Sequence, residues 1–127
     1  MWVFTKYGFF SVVSAREGDG RHGNPVDPDR VMVRARVRGH LEALAKAFPV
    51  ELGEVAIHES RQTDYRYRLI VDKADWVQVM ASLGMNLDYD NFKNEVSKMQ
   101  GHGSGYVAAL HDVWEIGYRL QEEEDGR

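Results

Sequence analysis

The sequence predicts an α+β fold in which helices cover one face of an antiparallel four-stranded sheet. Two separate stretches, 31–38 and 64–71, alternate apolar with polar residues, which is the periodicity of strands with one buried face. Each stretch leads directly into apolar residues at helical spacing. Two further strands are predicted from composition, so the elements follow the order β-β-α-β-β-α with additional helices at the C-terminus. That order is typical of a ββαββα two-layer sandwich.

Length and composition limit the class of protein that this chain can represent. Its 127 residues, 43% of them hydrophobic and 28% charged, predict a single domain, 1–127, that buries a core without covalent cross-links. The absence of cysteine excludes a disulfide framework, thiolate metal sites and cysteine nucleophiles. The net charge of −4 excludes a uniformly basic protein. No apolar run approaches the roughly 18 residues that span a bilayer, and no signal-peptide pattern opens the chain. We therefore expect a cytoplasmic protein that makes no use of a membrane.

The N-terminal segment predicts one strand followed by a long loop. Residues 2–13 are aromatic and β-branched without a helical period, which indicates a strand. Gly8 lies in its middle, where a glycine is typical of a bulge or of a close backbone approach. Residues 14–30 contain three glycines and two prolines among charged residues. We expect them to form a loop that contributes nothing to the core.

The second predicted strand carries the clearest pattern of the chain. Two sets of residues alternate in it: Val31, Val33, Ala35 and Val37 in one, and Met32, Arg34, Arg36 and Arg38 in the other. One face is therefore apolar and the other carries three guanidinium groups. Between Gly39 and Pro49 the apolar residues recur at helical spacing, which predicts the first helix.

A second pair of strands and a second helix follow. A short strand is predicted at 55–59, and a turn at 61–63 leads to the alternating strand 64–71, in which Tyr65, Tyr67, Leu69 and Val71 share one face. Asp72, with Asp75 three residues on, resembles a capping box at the start of a helix that ends at Gly84.

The C-terminal third predicts two more helices. Asp88 or Asp90 is expected to cap a short helix that ends at Gly101, and Ser104 is expected to cap the last helix. Apolar residues lie along one broad face of that last helix and are expected to join the core: Val107, Leu110, Val113, Trp114 and Leu120. The charged residues 122–127 are expected to form a flexible tail.

The predicted sheet brings arginines together on one face. Since helices must cover the apolar face, the opposite face would present five guanidinium groups: Arg34, Arg36, Arg38, Arg66 and Arg68. In the first strand, Tyr7 and Phe9 are expected on one face, and Phe4 and Phe10 on the other. A sheet face that is both aromatic and basic is used by platforms for single-stranded nucleic acid. We therefore expect an anionic partner such as nucleic acid or a nucleotide, held by Arg34, Arg36, Arg66 and Arg68.

Two other interpretations of this face stay open. Antiparallel sheets commonly leave one face to solvent, where acids such as Glu59 and Asp64 could pair with the arginines. The face could instead be buried in a homodimer or a partner complex. Residues 1–50 hold eight basic and five acidic residues, whereas 51–127 hold eight and fifteen. Head-to-tail association would satisfy both halves.

Other motifs carry weaker signals. The five histidines include no pair at i, i+4 and no His-x-His, so no metal site is predicted. No nucleophile–base constellation is visible, and we assign neither catalytic residues nor a cofactor. An enzyme would need a cleft that joins Asp64, Tyr65 and 91–93 to the arginines, with Asp64 as the base. Asn91 and Lys93 lie near a predicted helix start, where they could orient a polar ligand; alternatively, they are an ordinary cap and its exposed neighbour.

Five segments carry recognisable motifs. They read Trp2 to Val13, Val33-Arg-Ala-Arg36, Asp64-Tyr-Arg-Tyr-Arg68, Asp88-Tyr-Asp-Asn-Phe-Lys-Asn-Glu-Val96 and Val113-Trp114. Together they resemble a family of small bacterial proteins of unknown function, with the pattern W-x-F-T-x-[FY]-G-F-F-S-V-V, V-R-A-R, D-Y-x-[YW]-R and D-Y-x-N-F-K-x-x-V. The resemblance implies no activity. The polar residues inside its motifs are candidates for any functional site: Thr5, Ser11, Arg34, Arg36, Asp64, Arg68, Asn91 and Lys93.

Overall fold

A computed structural model describes residues 1–126 of the chain. They fall into two compact units, the first Met1–Asp88 and the second beginning at Tyr89. Within residues 1–126, the first unit holds every strand of the sheet and three helices, and the second holds two helices. The single domain expected for 1–127 stays a prediction.

The first unit is built on one antiparallel sheet. Its strands are β1 (Trp2–Thr5), β2 (Gly8–Arg16), β3 (Val26–Ala35), β4 (His58–Glu59) and β5 (Tyr67–Asp72). They lie in the order β1-β2-β3-β5-β4, and every neighbouring pair is antiparallel. The predicted α+β class is confirmed, but the sheet has five strands and the predicted number of four was wrong.

The additional strand arises because the chain reverses inside the segment predicted as one strand, 2–13. The Thr5 hydroxyl accepts hydrogen bonds from the backbone N–H groups of Tyr7 and Gly8 at 3.1 and 3.2 Å and donates to the Gly8 carbonyl at 3.0 Å. These bonds close a tight turn of the kind that threonine and glycine support. β1 and β2 therefore form a hairpin, with Thr5 opposite Gly8.

The connection between β2 and β3 is shorter than the predicted loop 14–30. β2 continues to Arg16 and β3 begins at Val26, so only 17–25 connect them. Ala15 is buried, which corrects the expectation that this segment adds nothing to the core. Hydrogen bonds between paired strands satisfy the backbone N–H and C=O groups regardless of side-chain type. The glycine, proline and charged residues of this segment therefore predicted a loop that is too long.

Three helices of the first unit pack on one face of the sheet. They are α1 (Arg38–Ala47), α2 (Pro49–Leu52) and α3 (Lys73–Met85). The core between the layers contains thirteen buried residues: Phe10, Val12, Val31, Val33, Ala35, Leu69 and Val71 from the strands, and Leu41, Leu44, Phe48, Leu52, Trp76 and Val79 from the helical layer. Asp72 is the N-cap of α3 as predicted, but its side chain makes no capping hydrogen bond.

The second unit contains α4 (Phe92–Gln100) and α5 (Gly105–Asp125). Ser104 caps α5 as predicted, since its Oγ accepts from the N–H of Val107 at 3.1 Å. α4 is capped by Asn91 rather than by Asp88 or Asp90, because the Asn91 Oδ1 accepts from the N–H of Asn94 at 3.0 Å.

α5 departs from the prediction in its second half. Val113, Trp114 and Leu120 were expected in the core but are 41–57% exposed. The helix continues to Asp125, so it includes most of the tail predicted at 122–127, of which Arg127 lies outside the described residues. Within residues 1–126, none of the helices combines the length and the hydropathy needed to span a bilayer.

Candidate anion-binding face

A row of side chains, one from each strand, crosses the sheet on the face opposite the helices: Trp2, Ser11, Arg34, Arg68 and His58. Each residue is the direct register partner of the next. Directly opposed residues of antiparallel strands point to the same face. Residues that alternate with them, such as Val33 and Leu69, are fully buried in the core. We call these five residues the arginine row.

The two guanidinium groups at its centre donate to neutral acceptors. Arg34 Nη2 donates to the Ser11 Oγ at 2.8 Å. Arg68 Nη2 donates to the Thr63 hydroxyl at 2.5 Å and to the Tyr65 carbonyl at 3.0 Å. Within residues 1–126, neither arginine forms an ion pair with a carboxylate. Their charges are therefore held in position without being neutralised by a carboxylate in contact.

The juxtaposition of Arg34 and Arg68 is electrostatically unfavourable. Their backbones face each other directly across β3 and β5, and like charges placed in this way destabilise a sheet. Burial, followed by the charge of Arg34, lowers the pKa of Arg68 below its usual value, while Asp64 acts in the opposite direction. The buried Nε of Arg68 has no hydrogen-bond partner. An anion bound between the two side chains would relieve the repulsion through the two-point contacts that guanidinium groups make with phosphate.

Tyr65 positions the arginines from above the sheet. Tyr65 is 4% exposed, and the guanidinium carbons of Arg34 and Arg36 lie 4.5 and 4.3 Å from the centroid of its ring. Arg36 also donates to the Asp64 carbonyl at 2.8 Å. The prediction placed Tyr65 on the core face with Leu69, which was wrong because β5 begins only at Tyr67. Residues 61–65 form bends rather than a strand, so strand alternation does not apply to them.

Aromatic side chains flank one end of the arginine row. Phe4 and Phe9 are register partners whose rings stack at 4.5 Å, and Trp2 lies edge-on to Phe9 at 5.7 Å. The predicted separation of Phe4 from Phe9 was wrong, because the turn after Thr5 brings both onto this face. Trp2 is 70% exposed, so its ring is accessible to a ligand.

Two further arginines from the predicted face have carboxylate partners. Arg66 precedes β5, and its Nε donates to the Glu59 carboxylate at 2.9 Å. This hydrogen bond lowers the pKa of Glu59. Arg38 lies in the first turn of α1, with its Nε 3.7 Å from the Glu42 carboxylate. The charge on these side chains is compensated within the first unit, unlike that of Arg34 and Arg68.

Asn91 and Lys93 belong to the second unit. The Asn91 side chain caps α4, which is the ordinary alternative considered for it. The Lys93 ammonium lies 5.4 Å from the centroid of the Trp114 ring, a cation–π contact. Lys93 also lines an open cleft of about 610 Å³ between α4 and α5, together with Ser97, His102 and His111.

Sequence reasoning identified the arginines of the row but missed Trp2 and His58, and it assigned Tyr65 to the core face. The row depends on the register between strands that are distant in the sequence, and no local pattern encodes that register. Among residues 1–126, no group of three or more His, Asp or Glu side chains is arranged to hold a metal ion.

In comparisons with protein-family models, curated proteins and solved structures, nothing matches this chain.

Proposed function

We propose that this protein is a non-enzymatic binding module whose arginine row binds an anionic partner, single-stranded nucleic acid in particular. The observation that carries the proposal is the pair Arg34 and Arg68, which face each other across β3 and β5 without a carboxylate partner among residues 1–126. A phosphate that bridges them would convert an unfavourable pair into a favourable cluster.

The dimensions and chemistry of the row favour a strand of nucleic acid over an isolated phosphate. Five neighbouring strands are spaced about 4.8 Å apart, so the row spans roughly 19 Å. Phosphates would contact Arg34, Arg68 and, beside them, Arg36. A base could stack on the exposed ring of Trp2, an interaction worth about 1–3 kcal/mol per base.

The salt dependence of binding tests this arrangement quantitatively. Each phosphate neutralised on a single strand contributes a slope of about −0.7 to the plot of log K against log salt concentration. One phosphate that bridges Arg34 and Arg68 and a second phosphate at Arg36 predict a total slope of about −1.4. Because the whole chain has a net charge of −4, this attraction is local, and we expect binding to weaken strongly above physiological salt.

The experiment is a fluorescence-anisotropy titration of labelled single-stranded DNA and RNA at several salt concentrations. The double variant Arg34→Gln/Arg68→Gln should lose binding by at least about tenfold and reduce the salt slope by about 0.7, because it removes both contacts to the bridging phosphate. Arg119→Gln removes one positive charge from α5, as Arg68→Gln alone does from the sheet, and is the control for net charge, which should bind as the wild type does. Binding that is unchanged in the double variant contradicts the proposal. Titration with a mononucleotide separates recognition of a strand from recognition of a single phosphate.

A protein-interaction module is the second candidate, favoured by the exposure of Trp2 on the edge strand β1. In that case the face is covered by a partner chain or a second copy. The double variant would then dissociate the complex in sedimentation, and added nucleic acid would have no effect on the wild type.

A further inference from the structure

An apolar stripe on α5 continues well past the part of the helix that is buried. Its members are spaced alternately by four and three residues: Tyr106, Leu110, Val113, Gly117 and Leu120. This is the heptad spacing with which one helix faces another along a seam. Tyr106 and Leu110 are buried, whereas Val113 and Leu120 are 41% and 57% exposed.

The second half of the stripe exceeds the reach of the neighbouring helix. At about 1.5 Å per residue, α4 is roughly 14 Å long and α5 roughly 31 Å. Trp114, Ile116 and Tyr118 flank the stripe and are also 49–58% exposed. Five large apolar side chains within eight residues form a dense exposed patch of the kind that marks an interaction surface.

Gly117 lies at the centre of this exposed segment. A Cβ built on it would meet no atom within 4 Å, so packing within the chain does not require glycine there. Glycine is nevertheless among the least favourable residues for a helix interior. On a seam, a residue without a side chain lets two helix backbones approach closely. Val113 and Leu120 lie on the two sides of Gly117 at nearly equal distances along the helix, so the patch is complementary to itself in the antiparallel sense.

The distribution of charge selects the same orientation. Residues 122–125 are all acidic, and a parallel pair of α5 helices would place two such runs side by side. In an antiparallel pair centred on Gly117, each run lies beside residues 109–112 of the other copy. That turn contains a single acid, Asp112, and the Lys93 ammonium lies close by, over Trp114. Each acidic run therefore meets one acid in the antiparallel pair, with a cation close by, in place of four acids in the parallel pair.

We propose that residues 113–120 of α5 pair with the same segment of a second copy in an antiparallel, two-fold symmetric dimer centred on Gly117. A two-fold interface requires a patch that is complementary to itself, and the apolar residues of this segment meet that requirement because they are placed evenly about Gly117. The inference is independent of the arginine row, which belongs to the first unit.

Sedimentation equilibrium over a concentration series tests the dimer. Leu120→Glu introduces a charge on the seam and should raise the dimer dissociation constant by at least about tenfold. Val50→Glu makes a similar change at a residue that is 91% exposed on α2, and should leave dimerisation unchanged. Gly117→Gln should weaken the dimer without reducing helix content in circular dichroism, because glutamine is a better helix former than glycine.

Single cysteines test the orientation, since the chain contains none of its own. After mild oxidation, Gly117→Cys should form a disulfide-linked dimer and Glu124→Cys should not, whereas a parallel pair would cross-link at both. Val50→Cys measures cross-linking by random collision. The proposal is overturned by a wild type that stays monomeric throughout the series, by a dimer that Leu120→Glu leaves intact, or by efficient cross-linking of Glu124→Cys.

Discussion

Replacing Gly8 by alanine should destabilise the first unit more than the addition of one methyl group at any other position of the sheet. Gly8 has a φ of +155°, in a region that residues with a side chain rarely adopt. A Cβ at this position would lie 2.2 Å from Cγ and 2.4 Å from Cβ of His40, whereas carbon atoms in contact are about 3.5–4.0 Å apart. The overlap is with the base of the His40 side chain, so rotation of the ring does not remove it.

The magnitude follows from three contributions. Overpacking in a filled core costs about 1–3 kcal/mol, and the unfavourable backbone conformation adds about 1–3 kcal/mol. Displacing the imidazole also weakens the hydrogen bond from the Phe9 N–H to His40 Nδ1, 3.3 Å long, which contributes about 1 kcal/mol. We expect Gly8→Ala to lower the free energy of unfolding by about 3–7 kcal/mol.

Urea denaturation followed by tryptophan fluorescence measures the effect, with the buried Trp76 as reporter in the first unit. Gly84→Ala is the matched control: a Cβ there meets nothing within 4 Å, and alanine should stabilise α3 by up to about 1 kcal/mol. His40→Gly should recover part of the loss caused by Gly8→Ala, whereas His40→Ala should recover little because its Cβ still overlaps. The steric explanation is refuted if Gly8→Ala unfolds at the wild-type urea midpoint. It is also refuted if His40→Gly and His40→Ala restore equal amounts of the stability lost in Gly8→Ala.

Two smaller effects follow from other contacts. Burial lowers the pKa of His40 below its usual value of 6.5, so the unfolded chain binds the proton first and stability should decline as the pH falls below about 6.5. His40→Gln should flatten this part of the urea-unfolding profile between about pH 7.5 and pH 5, and equal slopes would contradict the assignment. Ser104→Ala removes the acceptor of the Val107 N–H and should cost the second unit about 1 kcal/mol, measured by hydrogen exchange of the α5 amides. Ser104→Asp should retain most of that stability, and an equal loss in both variants would count against the cap.

Local patterns in the sequence were sufficient for much of the secondary structure. The alternation before Gly39 correctly predicted which side of β3 is buried, because a strand exposes its side chains to two faces with a period of two. Helical spacing between Gly39 and Pro49 predicted α1, and the hydroxyl of Ser104 predicted the start of α5. These features depend on residues a few positions apart, so the chain's own geometry is enough to place them.

Features that depend on distant contacts were predicted less well. The reversal between β1 and β2 depends on Thr5 and Gly8 within a run of aromatic residues that reads as one strand. Phe4 and Phe9 were consequently assigned to opposite faces. The last apolar residues of α5 were predicted as core because periodicity identifies an apolar face without identifying what covers it.

The same distinction between local patterns and distant contacts applies to the candidate site. The sequence alone determined that Arg34 and Arg68 each lie on the polar side of an alternating strand. Only the tertiary structure decided that they face each other and that Arg66 is neutralised by Glu59, while Tyr65 folds over the row. The physical reason is that strand alternation is a property of each backbone segment by itself. Register between strands, in contrast, is decided when a shared core aligns residues more than thirty positions apart.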